Sequence, residues 1–362
     1  MKASWLAAIA AVAAVSSFFA SASAQVLKVV SESDLCLPGN HRFVVHSEKV
    51  GRDFAITVTM PVAYAKFGQP STKVAVIYAL DNGYDVAGPI AQTLSRTTDM
   101  SPAYVVSIGY VEGQTNMRST DYLYEDVGQG VGGPAFEQFL TTELRPFIEA
   151  RYPLDPAKAI LFGHSYGGIF TANVLALSPK AFSGYIIGSA GSDVALAGRL
   201  AKAAPKADGV RVFLAAADGE AIDSFAAVLS AKGSVVKLQK RVFMGETHTS
   251  YYPQLASAAF HWLLPASPSR KAVNLPEAAY AHVVGNYKTD DGRVLNVSHS
   301  GPKTVIGIIG VPGYTVILAE TPQNFFIEGL DIPVTFEGAA DKPATALNVV
   351  LGGVPTRATR QN

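Results

Sequence analysis

Cysteine is almost absent from this 362-residue chain, which contains only Cys36. A single thiol cannot close a disulfide within the chain, so a disulfide-stabilised framework is excluded. The seven histidines are scattered, and no group of His and Cys residues has the spacing of a zinc site. We therefore expect no metal and no other cofactor, and we expect stability to come from a hydrophobic core.

Net charge is also lacking, because Lys+Arg and Asp+Glu both number 29. Because the net charge is zero, the chain has no long-range electrostatic field that would attract nucleic acid or an anionic membrane surface. We therefore expect a small-molecule partner and no nucleic acid. The 49% of hydrophobic residues and the 32 glycines are typical of a globular protein with a large core and many tight turns.

Long apolar stretches are lacking except at the N-terminus, where residues 5–20 are largely apolar. This run is shorter than the about 20 residues that a membrane span needs. The small residues Ala22-Ser23-Ala24 follow it, as at the cleavage site of a secretory signal. We predict a signal peptide over residues 1–24, export to the periplasm or the extracellular space, and no membrane span after cleavage.

The next part of the chain has the pattern of an α/β domain. Continuous apolar runs at 74–80, 103–108 and 159–162 predict strands that are buried on both faces of a parallel sheet. Helical patterns lie between them, the clearest over residues 134–149. Further predicted strands are an antiparallel pair within 42–60 and single strands at 183–187, 210–214 and 236–243. This alternation predicts a mostly parallel central sheet flanked by helices, in a domain over residues 25–266.

A Pro/Ser-rich break at 265–269 follows a predicted helix over 252–264 and marks a domain boundary. Beyond it, turn signals separate predicted strands at 294–297, 304–309, 314–318 and 325–327. We therefore predict a small all-β domain over residues 274–362, with no catalytic constellation of its own.

The strongest chemical signal is a Gly-x-Ser-x-Gly sequence from Gly163 to Gly167, between the apolar strand at 159–162 and the helical pattern at 169–175. Strand, tight turn and helix in this order are the context of a nucleophile elbow. The turn requires small neighbours and exposes the Ser165 hydroxyl at the start of a helix, where the helix dipole favours developing negative charge. The sequence therefore predicts an α/β-hydrolase fold with Ser165 as nucleophile.

The partners of such a serine follow in the order acid, then histidine. Two predicted strands end in loops with suitable side chains: one carries Asp218, Glu220 and Asp223, and the other carries His248. We predict His248 as the base and prefer Glu220 as the acid, with Asp218 as a close alternative. The acid would orient the imidazole and stabilise the imidazolium.

The other histidines are predicted to be surface or packed polar groups. His164 should point away from the nucleophile, and His261 falls within the next helix. Outside the expected order are His41, His46, His282 and His299.

An oxyanion hole needs two backbone N–H groups aimed at the tetrahedral oxygen. One is predicted to come from Tyr166, directly after the nucleophile. The other is predicted to come from Asn82 or Gly83, in the loop after the strand at 74–80, where an ordinary Asn-Gly turn is an equal alternative.

Together these motifs resemble the putative-esterase (esterase D-like) family of α/β hydrolases, particularly its siderophore-esterase branch. The likeness spans about residues 42–264 and depends on the segments 76–81, 108–110, 118–121, 139–146, 163–168 and 245–248. The resemblance implies hydrolysis of carboxylic esters, a class that includes S-formylglutathione, acylated sugars and catecholate siderophore trilactones. Ser165 and His248 match the family positions.

The resemblance leaves two assignments open. Many members of the branch have a Gly-x-x-Glu loop, whereas residues 217–220 read Ala-Asp-Gly-Glu, so the acid is not fixed. Arg118 could hold an anionic substrate group, but we expect a salt bridge to Asp121 instead. The tail after residue 274 is loosely similar to small β domains of some secreted bacterial serine hydrolases.

The sequence thus predicts a serine carboxylic ester hydrolase that acts through an acyl-enzyme on a siderophore-type or other small-molecule ester. Two alternatives are an acyltransferase of the same fold and a non-catalytic binding protein on a hydrolase scaffold. The substrate and the oligomeric state stay open.

Overall fold

A computed structural model describes residues 39–61, 73–81, 86–96, 100–265, 270–311, 313–328, 332–352 and 354–361. The predicted signal peptide at 1–24 lies outside the described residues, as do Asn82 and Gly83 of the predicted oxyanion hole. The predicted domain limits at 266 and 274 stay predictions, since residues 266–269 are also outside.

The first part of the described chain forms an eight-stranded sheet in the order β1-β2-β4-β3-β5-β6-β7-β8. Strand β2 pairs antiparallel with β1 and β4, and all the other pairs are parallel. The strands are β1 Asn40–Ser47, β2 Arg52–Thr59, β3 Val74–Ala79, β4 Ala103–Tyr110, β5 Leu154–His164, β6 Gly184–Gly188, β7 Arg211–Ala217 and β8 Lys237–Phe243. This is the predicted α/β-hydrolase fold.

Helices cover both faces of this sheet. They are α1 Ala87–Arg96, α2 Arg118–Asp121, α3 Gly133–Gln138, α4 Arg145–Glu149, α5 Tyr166–Leu177, α6 Val194–Ala203, α7 Asp223–Leu229 and α8 Tyr252–Leu263. A further helix in the described part of the chain, α9 Glu277–Ala281, follows the sheet domain. Within the described ranges, we find no helix with the length and apolar character needed to cross a bilayer.

Side chains of the parallel strands alternate between the two faces, as the period of a strand requires. On β3, Val76 and Tyr78 join a core cluster with α3, α5, α6 and α7, whereas Ala75 and Ile77 join a second cluster with α1 and α8. Burial on both faces explains why the predicted apolar runs are continuous and do not alternate with polar residues.

The predicted helix over 134–149 is present but interrupted. Helices α3 and α4 are joined by a π-helical segment, Phe139–Leu144. Pro146 has no N–H, and its ring would clash with the carbonyl group of Thr142 in a regular α-helix, so the wider turn accommodates it. The apolar face is buried as predicted, through Phe136, Phe139, Leu140, Leu144 and Ile148.

An aromatic cluster fixes the helix that follows Ser165. The Phe54 ring of β2 stacks on Phe139 at a centroid distance of 4.5 Å, and Phe136 packs edge-on against Phe170 of α5 at 5.2 Å. Each such pair adds about 1 kcal/mol beyond the area it buries. These contacts connect helix α5, through α3 and the π-helical segment, to strand β2 of the sheet.

The C-terminal domain is a closed antiparallel barrel of eight strands in which each strand pairs with the next and β16 pairs with β9. Its strands are β9 Gly285–Thr289, β10 Val294–Ser300, β11 Lys303–Ile308, β12 Tyr314–Ala319, β13 Asn324–Ile327, β14 Pro333–Glu337, β15 Ala346–Leu351 and β16 Val354–Arg360. Four of these were predicted and four were not. The interior is filled by alternate apolar residues such as Val334 and Phe336, as expected for eight strands.

Arg360 closes the seam between the last and first strands of the barrel. Its guanidinium donates to the Val284 carbonyl at 2.6 Å, to the Tyr287 hydroxyl at 3.1 Å and to the His282 carbonyl at 3.2 Å. Gly285 lies under this group, and a Cβ there would be 2.9 Å from Arg360 Cζ. A side chain there would have to displace the Arg360 guanidinium, so glycine leaves room for the arginine to reach these carbonyls.

Candidate active site

Ser165 occupies a strained turn between β5 and α5. Its φ is +58° and its ψ is −123°, a conformation that non-glycine residues rarely adopt. Its N–H donates to the Gly188 carbonyl at 2.9 Å, which fastens the turn to β6. A Cβ on Gly163 would lie 2.0 Å from the Gly167 carbonyl oxygen, so the turn tolerates only glycine there. This is the strand, tight turn and helix geometry expected around Ser165, and the nucleophile role of Ser165 stays a prediction.

The predicted oxyanion donor Tyr166 begins helix α5 directly after Ser165. The first N–H groups of a helix have no partner within the helix, and the dipole adds positive potential at that end. The N-terminus of α5 can therefore receive an anionic oxygen beside Ser165.

His248 and Glu220 are brought together from two loops, after β8 and β7. His248 Nδ1 lies 2.5 Å from Glu220 Oε1. The His248 side chain is half-exposed and that of Glu220 is more buried. A bond at Nδ1 leaves Nε2 available for proton transfer, which is the arrangement of a base and its orienting acid.

The other two candidate acids have different partners. Asp218 accepts a hydrogen bond from the Gly245 N–H at 3.2 Å, and Asp223 pairs with Lys240. Among the three carboxylates of this loop, Glu220 is the one bonded to His248. Its role as acid stays a prediction.

The second oxygen of Glu220 is also engaged. Oε2 accepts from the Ala217 N–H at 2.9 Å and from the Ser189 hydroxyl. Burial pushes the pKa of Glu220 upward, but the hydrogen bonds from Ser189, His248 and Ala217 outweigh it and hold the pKa below its ordinary value. Glu220 is therefore ionised at neutral pH.

Sequence reasoning missed Ser189 and Tyr251. Ser189 Oγ lies 2.6 Å from the Tyr251 hydroxyl, and both residues are buried. A signal was present, since Ser189 directly follows β6, and side chains at the carboxyl ends of parallel strands line ligand sites in such sheets.

His164 is buried as a packed polar group beside His248. Its ring centroid is 4.7 Å from that of His248. Burial lowers the pKa of His164 to about 4, and the neighbouring His248 acts in the same direction. His164 is therefore neutral over the physiological range, and it contributes no positive charge next to His248.

The predicted salt bridge between Arg118 and Asp121 is wrong. Arg118 binds Asp81 through two hydrogen bonds at 2.8 and 2.9 Å, and its guanidinium lies 5.3 Å from the Tyr166 ring centroid. Asp121 instead accepts two bonds from Arg52 of β2, both at 3.0 Å. Asp121 is almost fully buried at the end of a four-residue helix, where the sheet supplies its counter-charge.

No group of three or more His, Cys, Asp or Glu within the described ranges could hold a metal ion. The expectation that no metal or cofactor is needed stays a prediction.

Comparison with known proteins gives consistent matches to esterases. The family model described as "Putative esterase" matches residues 47–251. Ferri-bacillibactin esterase BesA of Bacillus subtilis is 28% identical over 174 residues, which are 42% of this chain and 58% of that protein. Siderophore triacetylfusarinine C esterase of Aspergillus fumigatus is 27% identical over 165 residues, 42% of this chain and 56% of that protein. The chain thus spans somewhat more than half the length of these curated relatives.

Solved structures with the same fold include the BES protein from Bacillus cereus, with a TM-score of 0.57 and 22% identity over 66% of this chain and 99% of that chain. Siderophore hydrolase EstB from Aspergillus nidulans has a TM-score of 0.56 and 19% identity over 67% of this chain and 100% of that chain. Both likenesses concern the fold, and they agree with the predicted α/β-hydrolase architecture.

Proposed function

Because the chain belongs to the putative esterase family, we propose that it is a carboxylic ester hydrolase in which Ser165 is the nucleophile, His248 the base and Glu220 the acid. The observation that carries this proposal is the strained Ser165 at the start of α5, in a chain whose His248 is bonded to Glu220 at 2.5 Å. Backbone strain that persists at a residue with a polar side chain is characteristic of functional sites.

In the first step, Ser165 Oγ attacks the ester carbonyl carbon while His248 Nε2 takes the hydroxyl proton. Glu220 holds the imidazole through Nδ1 and stabilises the imidazolium that forms. The Tyr166 N–H at the start of α5 donates to the tetrahedral oxyanion, with Asn82 or Gly83 as the second donor. The imidazolium then protonates the leaving alcohol, and an acyl-enzyme remains on Ser165.

In the second step, water replaces the alcohol. His248 removes a proton from the water as it attacks the acyl carbon, the same donors hold the second oxyanion, and the C–O bond to Ser165 breaks with return of the proton to Oγ. The products are a carboxylic acid and the restored serine.

We propose siderophore-type esters as the substrate class. Support comes from the relatives, which are named as esterases of ferri-bacillibactin and of triacetylfusarinine C. The test compares the rate of hydrolysis of a catecholate trilactone with that of short-chain acyl esters. Chromatography and mass spectrometry measure the products. A preference for simple acyl esters would contradict it and leave the esterase assignment standing.

A fluorophosphonate probe tests the catalytic assignment. We expect wild type to be labelled at Ser165, and Ser165→Ala and His248→Ala to lose labelling. The matched control is Ser183→Ala, which removes a hydroxyl bonded to the Ala159 carbonyl at the opposite end of β6. A folded wild type that is not labelled would contradict the hydrolase and favour a binding protein.

Product analysis with an added alcohol tests the acyltransferase alternative. Formation of a new ester in place of free acid would identify an acyltransferase.

Export also belongs to the proposal. Residues 1–24 have the pattern of a cleaved signal, which predicts a mature protein that starts at about Gln25. N-terminal sequencing of the protein recovered from the periplasm or the medium tests this, and an intact Met1 in the cytoplasm would contradict it.

A further inference from the structure

Glu220 presents only one of its two oxygens to His248. Oε1 lies 2.5 Å from His248 Nδ1, whereas Oε2 accepts from the Ala217 N–H at 2.9 Å and from the Ser189 hydroxyl. The carboxylate is therefore held from both sides. A glutamate on a loop, with three side-chain torsions, would otherwise sample several orientations.

Ser189 is held in an unusual backbone conformation at the end of β6. Its φ is +46°, and its N–H donates to the Ala215 carbonyl at 2.8 Å. Glycine adopts such a conformation without the penalty that a Cβ brings. The fold thus places a hydroxyl-bearing side chain where glycine would be less strained, and that hydroxyl contacts Glu220.

Tyr251 sets the direction of the Ser189 hydroxyl. Its side chain is fully buried and its hydroxyl lies 2.6 Å from Ser189 Oγ. An ionised Glu220 can only accept, so the single Ser189 proton must go to Oε2. Tyr251 must then donate to Ser189. The bonds run in one direction, from Tyr251 to Ser189 to Glu220.

We propose that Ser189 and Tyr251 are positioning residues for catalysis, a hydrogen-bonded pair that fixes the Glu220 carboxylate so that Oε1 stays aimed at His248 Nδ1. The proposal rests on the ester-hydrolase function proposed above. Neither residue takes a proton from the substrate, and each acts through Glu220. Loss of the pair should therefore lower kcat and leave KM nearly unchanged, since substrate binding does not depend on it.

The pair also affects the titration of Glu220. The Ser189 hydrogen bond is the largest of the effects that hold the pKa of this carboxyl down, ahead of His248 and the Ala217 N–H. His164, whose own pKa responds to the Glu220 charge, stays neutral until about pH 4 because of its burial. Removing the Ser189 hydroxyl should therefore raise the pKa of Glu220.

The test uses Ser189→Gly, Ser189→Ala and Tyr251→Phe. Glycine relieves the backbone strain and alanine retains it, yet both remove the hydroxyl. We expect kcat to fall about tenfold in both, with KM within about twofold, and to fall about threefold in Tyr251→Phe. Because both residues act through one chain of bonds, the Ser189→Gly/Tyr251→Phe double variant should be no slower than Ser189→Gly alone.

Matched controls come from β6 and the residue directly before it. Ser183→Ala removes a hydroxyl bonded to the Ala159 carbonyl, and Tyr185→Phe removes a buried hydroxyl bonded to the Ser178 carbonyl. Both controls should keep kcat within about twofold of wild type. Equal losses in the controls would show a general effect of lost hydroxyls and would overturn the proposal.

A measurement that needs no turnover separates this proposal from the esterase assignment. Carbon-13 NMR of the Glu220 carboxyl should show a higher pKa in Ser189→Gly than in wild type and no change in Ser183→Ala. An unchanged titration, or a kcat equal to wild type in Ser189→Gly, would overturn the positioning role. Absence of fluorophosphonate labelling in wild type would instead contradict the esterase, while the NMR titration still decides the role of Ser189.

Discussion

The Asp81 carboxylate accepts two hydrogen bonds from the Arg118 guanidinium, at 2.8 Å from Nε and 2.9 Å from Nη2. Asp81 has a φ of +58° just after β3, and its Oδ2 would be 3.3 Å from a Cβ on Gly167. The pair therefore lies against the first turn of α5 and links the end of β3 to the helix that follows Ser165.

Arg118→Ala should lower the free energy of unfolding by about 1–2 kcal/mol, because it leaves the mostly buried Asp81 carboxylate without its bidentate partner. Arg118→Lys should recover only part of this, since an ammonium cannot form the paired bonds. Urea unfolding measures both. The control is Lys158→Ala, which breaks an exposed pair with Asp155 and should change stability by less than about 0.5 kcal/mol. An equal effect in both alanine variants would argue against a structural role for the Arg118 pair.

Glu220 and Asp218 lie two residues apart in the same loop, so their variants can be compared directly. Glu220→Gln should lower kcat for ester hydrolysis at least about 100-fold, because a neutral amide cannot stabilise the imidazolium of His248. Asp218→Asn should stay within about threefold of wild type, since Asp218 accepts from the Gly245 N–H, whereas His248 is bonded to Glu220. Steady-state kinetics decide between them, and a larger loss in Asp218→Asn would reassign the acid.

Two glycines should respond to alanine in opposite directions. Gly163→Ala should destabilise the fold by at least about 3 kcal/mol, because its Cβ would lie 2.0 Å from the Gly167 carbonyl oxygen. Gly198→Ala lies within α6 with open space around it, and should stabilise the protein by about 0.5–1 kcal/mol. Thermal unfolding measures both. Soluble Gly163→Ala protein with an unchanged Tm would contradict the tight turn.

Stability should fall between pH 6.5 and pH 4.5 because of His164. The pKa of His164 is about 4 in the folded protein and 6.5 is its ordinary value, so the unfolded chain binds the proton first as the pH falls. The stabilising contribution is complete above pH 6.5, and about 2–3 kcal/mol of it should be lost by pH 4.5. Urea unfolding at pH 7.5 and 4.5 should show this loss in wild type and a smaller one in His164→Gln. An identical pH dependence in both would refute the assignment.

The barrel seam can be tested with two arginines of β16. Arg360→Met should destabilise the barrel by about 2–4 kcal/mol, because the carbonyls of His282 and Val284 lose a charged donor. Arg357→Met breaks an exposed pair with Glu337 and should change stability much less, because solvent screens that pair. Hydrogen exchange of the β9 and β16 amides measures the difference, and equal protection in the two variants would count against the seam.

Local features were accessible from the sequence. The turn around Ser165 was predicted because the glycines, the apolar strand before it and the helix after it are contiguous in the chain. The loop that carries Glu220 was found because it follows the clearly apolar strand β7. The loop that carries His248 follows β8, which is mostly polar and ends in the apolar Val242-Phe243. Contacts made by the ends of separate strands depend on sheet order, which explains why Ser189 and Tyr251 were missed.

Two further differences have physical causes. Arg118 pairs with Asp81, which is distant in sequence, and the nearby Asp121 was the expected partner because only local spacing could be read. In the barrel, β16 reads Val-Pro-Thr-Arg-Ala-Thr-Arg, which contributes few apolar side chains to the interior. A strand with so weak an alternation is recognised only when its neighbours on both sides are known.

The pairing of Thr289 with Ala358 joins residues at opposite ends of the barrel sequence. Among the barrel strands, the ribosome makes β9 first and β16 last. The strands of the central sheet are complete at Phe243, so that sheet can form well before the barrel closes. Until Arg360 has been added, β9 and β15 each have one unpaired edge. A nascent chain that is released before this point would expose both edges to other polypeptides, and closure of the ring removes that aggregation hazard.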